Sequence, residues 1–324
     1  MNEDNRLAKN IALTAKQAEL DKLCKKVLSF KIILAWIMKS CLEEYKNYNV
    51  NEIAEKYIEG NPHIEDATVH QDEIIGMNTE GNSITEGTIT YDIIFYAVVP
   101  DSESNELIKL ILNVEAQNKF NPGYSIIKRA LYYCSRMISS QYGTEFDKSQ
   151  YDKIKKVYSI WICTNSPKKR HNTITRYSIK EDYIVGKAIE KIQNYDLLSV
   201  VLICLGNRDE ENYDGILKLL KTLLSSDTKV EEKKKILQND FNIEMVYKME
   251  EEVRNMCNIS YGILEEGIEK GIEKGIEKGI EKGMLNSIKN LMESMNLEIN
   301  QAMNALKIPE SEQGKYLKIL SEEK

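Results

Sequence analysis

Two apolar stretches of this chain carry carboxylates where a buried strand usually has none. Residues 90–96 read TYDIIFY, and residues 110–117 read LILNVEAQ. The β-branched and aromatic residues of both stretches predict buried strands. An ionised carboxylate inside such a strand is destabilising by several kcal/mol unless a partner neutralises it. Two acidic strands close together in the sequence therefore indicate a shared cationic partner, and a divalent metal ion is the simplest one.

Strand alternation narrows which side chains can share that partner. Glu115 and Gln117 lie on one face of the second strand, and Asp92 can meet them if the two strands are neighbours. With the backbone carbonyl of Ala116, the two carboxylates would form the all-oxygen site that Mg²⁺ or Mn²⁺ prefers. Structural alternatives remain open: Asp92 could close a turn, Glu115 could pair with Arg129, and Gln117 could end its strand at the surface.

Length and composition set the broad class of the protein. The chain has 324 residues, of which 42% are hydrophobic, enough for one large domain or two modest ones. We expect no transmembrane helix, because no apolar run approaches the length that crosses a bilayer. The polar, acidic N-terminus is unlike a secretory signal. Six scattered cysteines indicate free thiols in a reducing compartment, so we expect a cytoplasmic protein. The three histidines lack the spacing of zinc ligands.

The positive charge is concentrated in one segment. Residues 119–176 contain twelve Lys and Arg against three acidic residues, in a chain whose net charge is −7. Such a segment could bind a polyanion, although an ordinary solvated surface is the alternative. The candidate contacts to a DNA backbone are Lys128 and the cluster Lys168, Lys169 and Arg170, and the cluster could equally be a solvated loop.

Hydrophobic periodicity predicts an alternation of helices and strands. The predicted helices cover residues 15–47, 50–60 with Asn51 as N-cap, 125–140, 213–224 and 228–258. The predicted strands lie near residues 67–69, 73–77, 87–99, 107–117, 157–163 and 197–205, with a turn at 80–83. A helix between the second acidic strand and the next buried strand forms a crossover. We therefore expect an α/β domain with a central mixed sheet flanked by helices.

A tetrad repeat marks the C-terminal part of the chain. Gly-Ile-Glu-Lys occurs four times from Gly267 and ends at Gly283. A period of four drifts slowly against the helical turn, so the isoleucines form a narrow, winding apolar stripe beside the glycines. The repeat could be a solvated helical tether or a helix that self-associates to form a homo-oligomer. Two short helices are predicted after it, separated by Pro309.

The acidic strands also resemble a known pattern. Asp92, followed by Glu115, Ala116 and Gln117, is similar to the D…E-x-K signature of the PD-(D/E)XK nuclease superfamily. Gln117 stands in the position of the lysine, and Tyr91 stands in that of the proline. The following basic, tyrosine-containing helix and the tetrad repeat resemble the recombination-promoting nuclease and transposase branch. The resemblance covers about residues 15–285.

This resemblance implies a restriction-endonuclease-like core of order αβββαβ with a C-terminal helical tail. It also implies a Mg²⁺-dependent, or Mn²⁺-dependent, deoxyribonuclease that hydrolyses phosphodiester bonds and is associated with recombination or mobile elements. Carried over by position, Asp92 and Glu115 would ligate the metal, and the carbonyl of Ala116 would add a ligand. Gln117 would orient the attacking water without supplying the positive charge of a lysine.

Four accessory residues follow from the same resemblance and from residue spacing. Glu44 is the candidate for the further acid that the superfamily often has on its first core helix. Lys119 could replace the missing lysine if its strand extends that far. Arg129 and Tyr133 share a helical face, where they could bind phosphate or brace Glu115.

The predicted organisation has five parts. A flexible N-terminus covers residues 1–14, the nuclease-like domain 15–225, a helical extension 226–262, the repeat helix 263–284 and short helices 285–324. DNA is the expected partner, with no membrane association. The alternative function is a catalytically weak or inactive DNA-binding or oligomeric interaction protein on the same fold.

Overall fold

The computed structural model describes residues 3–60, 63–64, 80–83, 87–100, 107–117, 120–226 and 228–322. The strands in these ranges are β1 (His63–Ile64), β2 (Glu80–Ser83), β3 (Gly87–Thr90), β4 (Ile93–Pro100), β5 (Leu107–Gln117), β6 (Val157–Cys163), β7 (Thr173–Ser178) and β8 (Leu198–Cys204). The helices are α1 (Glu3–Leu28), α2 (Lys31–Cys41), α3 (Val50–Glu52), α4 (Ile126–Ser139), α5 (Gly215–Leu224), α6 (Val230–Phe241), α7 (Tyr247–Met295), α8 (Ile299–Ala305) and α9 (Glu310–Glu322).

Six of these strands form a mixed sheet in the order β1-β4-β5-β6-β8-β7. Strands β4 and β5 are antiparallel, β5, β6 and β8 run parallel, and β7 is an antiparallel edge strand. Helix α4 connects the parallel neighbours β5 and β6, as a crossover requires. The predicted α/β fold with a central mixed sheet and flanking helices is confirmed, and it is consistent with a PD-(D/E)XK fold.

Each face of the sheet is covered by helices. All seven residues of β6 are buried, as expected for a central strand covered on both faces. One face packs against α4, whose buried side chains recur every three or four residues: Ile126, Ala130, Tyr133, Cys134 and Met137. The opposite face packs against the N-terminal helices and α5, α6 and the start of α7. In the described part of the chain, no helix is both long and apolar enough to cross a membrane.

The chain divides into two compact units, Met1–Ser260 and Tyr261–Lys324. The second unit has a small core of its own, formed by Ile288, Ala302, Met303, Ile308 and Tyr316. Its tetrad repeat is helical, and the repeat isoleucines are 54–61% exposed. Pro309 precedes α9, as predicted, but the single helix predicted over residues 285–306 is wrong: α7 continues from the repeat to Met295, and α8 begins only at Ile299.

Several local predictions were wrong. The helix predicted over residues 15–47 is two helices, α1 and α2, and α1 begins at Glu3, inside the segment predicted to be flexible. The N-cap of α3 is Asn49, whose side chain accepts a hydrogen bond from the backbone N–H of Asn51. An asparagine two residues before a free N–H can cap it, and the sequence alone does not choose between the two asparagines.

The strand predictions also need corrections. The turn predicted at residues 80–83 is strand β2, which pairs with β3 in a separate hairpin. The strand predicted over residues 87–99 is interrupted at Tyr91 and Asp92, which form a bend between β3 and β4. Edge strand β7 falls in a stretch predicted to be rich in loops, and it is stabilised mainly by pairing with β8. The strands predicted at 67–69 and 73–77 lie outside the described residues.

Candidate active site

Asp92 and Glu115 lie opposite each other where β4 begins, beside the end of β5. Ile93 pairs with Val114, so Asp92, one residue earlier, lies opposite Glu115. Oε1 of Glu115 accepts a hydrogen bond from the backbone N–H of Asp92 at 3.0 Å. In return, Oδ2 of Asp92 accepts one from the backbone N–H of Ala116 at 2.9 Å. Each carboxylate is therefore held by the backbone of the neighbouring segment.

The sequence predicted that Asp92 lies within a strand, but the structure places it in the bend before β4. The reason is one contact between separate segments of the chain: the backbone N–H of Asp92 donates to the Glu115 side chain rather than to a strand carbonyl. Glu115 is in β5 and only 4% exposed. Its strand neighbour in β6 is the buried Trp161, so this side chain lies on the face of the sheet covered by α4.

A lysine from α1 completes the cluster, and the sequence reading missed it. The ammonium of Lys25 lies 3.0 Å from Oδ1 of Asp92 and 2.9 Å from Oδ2 of Asp21, one helical turn earlier. The Lys25 side chain is only 9% exposed. The one available signal is that Lys25 shares a side of α1 with Leu28, an apolar residue three positions later that is fully buried, and a lysine is unusual there.

Burial dominates the electrostatics of Asp92. Removal from water raises the pKa of this carboxyl above its ordinary value, although the Lys25 ammonium and the Ala116 N–H both act to lower it. The ionised form is therefore not fully compensated in the folded protein. A carboxylate in this condition gains from a further cation.

The residues fit a small, hard divalent ion. The ammonium of Lys25 on Oδ1 of Asp92 shows that this oxygen accepts a cation. Across the described ranges, no three His, Cys, Asp or Glu side chains are grouped to hold a metal. A site with two carboxylates is nevertheless sufficient for Mg²⁺, which is commonly bound through one or two carboxylates and keeps several waters. Asp92, Glu115 and the carbonyl of Ala116 can provide that number of ligands.

An ordered guanidinium lies on the Glu115 face of the sheet. Nε and Nη2 of Arg129 donate to the hydroxyl of Tyr133 at 3.1 and 2.6 Å, and Nη1 donates to the hydroxyl of Tyr124 at 2.8 Å. The guanidinium carbon lies 5.2 Å from the ring centre of Trp161, the strand neighbour of Glu115. Three aromatic side chains therefore hold this cation over the strand neighbour of Glu115.

Glu44 is not on α1 or α2 but on the single helical turn Glu43–Tyr45 that follows α2, where it contacts another part of the sheet. Its carboxylate accepts hydrogen bonds from the hydroxyl of Tyr158 at 2.8 Å and from the ammonium of Lys156 at 3.0 Å. Tyr158 pairs with Leu112, three residues before Glu115, which is about 10 Å along the strand. The contacts of Glu44 thus stabilise the start of β6, and its role as a metal ligand stays a prediction.

Gln117 is the last residue of β5 and pairs with Cys163 of β6. Its side chain, and Lys119 as a whole, lie outside the part of the chain that the structure describes. Their predicted roles, the orientation of a water and the replacement of the missing lysine, therefore stay predictions.

The basic candidates occupy two places. Lys128 is exposed on α4, next to Arg129. Lys168 and Lys169 are exposed on the helical turn Lys168–Arg170 that follows β6. The guanidinium of Arg170 lies 5.1 Å from the ring centre of Phe120, three residues after the end of β5. This contact brings the basic turn beside the segment that leaves the candidate site.

The chain matches the family model described as PD-(D/E)XK nuclease family transposase over residues 59–261, more than half of its 324 residues. The matched region contains the whole main sheet, with Asp92, Glu115 and α4, whereas α1 and Lys25 precede it. Comparisons with curated proteins and with solved structures give no match.

Proposed function

Because the chain belongs to the PD-(D/E)XK nuclease family transposases, we propose that it is a metal-dependent DNA endonuclease associated with recombination or mobile elements. Family membership supports a nuclease-like function linked to mobile elements. The observation that carries the finer proposal is the reciprocal backbone lock of Asp92 and Glu115, in which the carboxylate of Glu115 accepts the N–H of Asp92 and the carboxylate of Asp92 accepts the N–H of Ala116.

In this proposal, Asp92, Glu115 and the carbonyl of Ala116 hold Mg²⁺ or Mn²⁺. The bound ion would activate a water and neutralise charge on the phosphate under attack. The folded protein holds the metal ligands in place before a metal binds. The Ala116 N–H binds Oδ2 of Asp92, and Oδ1 of the same carboxylate faces a cation, the Lys25 ammonium. A preformed site of this kind needs little reorganisation when the substrate reacts.

The remaining candidates would position the substrate. Gln117 would orient the attacking water through its uncharged amide. Lys128, Lys168, Lys169 and Arg170 would contact the DNA backbone, which is consistent with their positive charge and with three of the four side chains being exposed on the surface. Arg129, ordered on its aromatic partners, would either bind a phosphate or keep the Glu115 face rigid.

The test is nicking of supercoiled plasmid DNA with and without Mg²⁺. We expect the wild type to cut only with the metal, and Asp92→Asn and Glu115→Gln to lose about a hundredfold or more of the rate. Glu231→Gln is the matched control, because Glu231 is a 73% exposed carboxylate on α6. Equal cutting by all four proteins would refute the site. DNA binding without any cutting would favour the catalytically inactive alternative.

We also propose that the tetrad-repeat helix binds a second copy of this chain. Its isoleucines are 54–61% exposed, and no neighbouring atom lies within 4 Å of a Cβ built on the repeat glycines. Around the circumference of the helix, the row of glutamates lies next to the isoleucines, and the row of lysines lies next to the glycines. A parallel pair places the Glu row of one copy opposite the Lys row of the other, which favours the parallel arrangement.

Sedimentation of the full chain and of a chain ending at residue 263 tests this assembly. We expect the full chain to sediment as an oligomer and the shortened chain as a monomer. An unchanged oligomeric state would remove the repeat from assembly.

We further propose a cytoplasmic location, where DNA is accessible. All six cysteines are free thiols, including Cys163 and Cys204, which are direct neighbours on β6 and β8. Thiols in such close register are expected to persist in a reducing compartment. Thiol titration of protein isolated from cells under acid quench should give six reduced cysteines, and an oxidised pair would contradict this location.

A further inference from the structure

The candidate site contains a buried cation that comes from outside the sheet. Lys25 is on α1, before the region that matches the family model, so the family match gives it no role. Its ammonium contacts Oδ1 of Asp92, the carboxylate oxygen that the Ala116 N–H does not bind. The site therefore has a positive side chain even though Gln117 replaces the lysine of the signature.

Burial of this lysine needs a reason. The side chain is 9% exposed, and the transfer of an ammonium out of water is costly even when it is paired. Paired buried charges are weak evidence for stability, because well-packed apolar residues often do as well. A methionine or leucine at this position would suit the neighbouring Leu28, which is buried one helical turn later on the same side of α1. What a lysine adds at position 25, compared with an apolar residue, is its positive charge.

A second carboxylate, that of Asp21, binds Lys25 independently of Asp92. Asp21 precedes Lys25 by one helical turn and binds its ammonium at 2.9 Å. Asp21 is half exposed, whereas Asp92 is 13% exposed. When Oδ1 of Asp92 is engaged by another cation, Asp21 still holds the Lys25 ammonium beside the site. The ammonium is then available to a phosphate oxygen.

We propose that Lys25 is a catalytic residue of the nuclease, supplying from α1 the positive charge that Gln117 does not carry. The inference rests on the proposed function. Water adds to the phosphorus as one of its protons passes to solvent, the bond to the leaving oxygen breaks, and the leaving oxygen takes up a proton from solvent. The Lys25 ammonium keeps its protons throughout and stabilises the negative charge that grows on the phosphate oxygen.

A purely structural Lys25 makes a different prediction. If the lysine only held Asp92 in place, its loss would displace a metal ligand and weaken metal binding together with the rate. If it acts on the phosphate, its loss lowers kcat and leaves metal affinity unchanged or higher, because the ammonium no longer competes for Oδ1. The two roles therefore separate when metal affinity and kcat are measured on the same variant.

The experiment measures Mn²⁺ affinity by calorimetry on the DNA-free protein, and kcat and KM for plasmid nicking. The variants are Lys25→Met, which keeps the side-chain length without the charge, and Lys25→Arg, which keeps the charge. Lys26→Met is the matched control: Lys26 is the next residue of α1 and pairs with Glu252 at 3.1 Å. We expect Lys25→Met to lose about a hundredfold of kcat, with Mn²⁺ affinity at least that of the wild type, and Lys26→Met to behave as wild type.

Two results overturn the inference while leaving the proposed function intact. One is a Lys25→Met protein that cuts at the wild-type kcat. The other is a loss of Mn²⁺ affinity, by tenfold or more, that accompanies the loss of rate. If Lys25→Met does not fold, the same two criteria apply to Lys25→Gln, which also removes the charge, whereas Lys25→Arg is expected to keep most of the wild-type kcat. A wild type that binds Mn²⁺ but does not cut, or that does neither, overturns the proposed function, and the inference with it.

Discussion

Replacement of Glu115 by alanine or by glutamine separates the structural and chemical roles of this side chain. Both substitutions remove the same buried charge. Glutamine keeps an oxygen where Oε1 accepts the backbone N–H of Asp92, at 3.0 Å in the wild type. Alanine removes that acceptor and leaves the N–H of Asp92 without this partner in a partly buried bend. The difference between the two variants therefore reports this hydrogen bond together with the packing of the buried side-chain atoms that only alanine removes.

The expected difference follows from general hydrogen-bond energetics. A donor left unsatisfied by the loss of its partner is destabilising by about 1–3 kcal/mol. In a domain of this size, each kcal/mol lowers the melting temperature by roughly 2–4 °C. We therefore expect Glu115→Ala to melt about 2–12 °C below Glu115→Gln. Neither variant should be stabilised by Mn²⁺, because both lack the carboxylate.

Thermal unfolding followed by circular dichroism, in EDTA and then with Mn²⁺, measures both quantities. Glu231→Ala controls for a general effect of losing a glutamate, because its side chain is 73% exposed. Equal melting temperatures for Glu115→Ala and Glu115→Gln in EDTA would refute the lock. Stabilisation of Glu115→Gln by Mn²⁺ to the wild-type extent would refute the role of Glu115 as a ligand.

Three further predictions concern the stability of the first unit. Burial lowers the pKa of Lys233 from its ordinary value of 10.5, so the unfolded chain binds this proton more tightly. Wild-type stability relative to Lys233→Met should therefore rise as the pH increases towards 10.5, and parallel urea-denaturation profiles would contradict this. Tyr158→Phe removes a part-buried hydrogen bond to the Glu44 carboxylate and should lower the free energy of unfolding, measured in urea, by about 1.5–3 kcal/mol. This loss should be smaller in a Glu44→Gln background, and equal losses in both backgrounds would show that the two side chains are not coupled. Gly206→Ala places a Cβ 2.5 Å from that of His171 and should be destabilising by about 1–3 kcal/mol, and a wild-type melting temperature would disprove this close packing.

The sequence by itself determined the centre of the sheet. The segments that form β6 and β8 are almost entirely apolar, because a parallel strand that is covered on both faces has no polar face. Helix α4, between β5 and β6, followed from its 3.6-residue period. The acidic residues of two neighbouring stretches were also evident, because carboxylates are rare in such runs. These features depend on local pattern, which the chain carries at every point.

The tertiary structure alone decided what surrounds those carboxylates. Lys25 is far from Asp92 in the sequence, and α1 brings it there only by packing against the sheet. The bend at Asp92 exists because Glu115 takes its N–H, a contact between residues that periodicity treats separately. Glu44 lies on Tyr158 for the same kind of reason. Many charged residues of this chain look alike in their local sequence pattern. Long-range packing decides which of them pair, and only the folded structure shows the result.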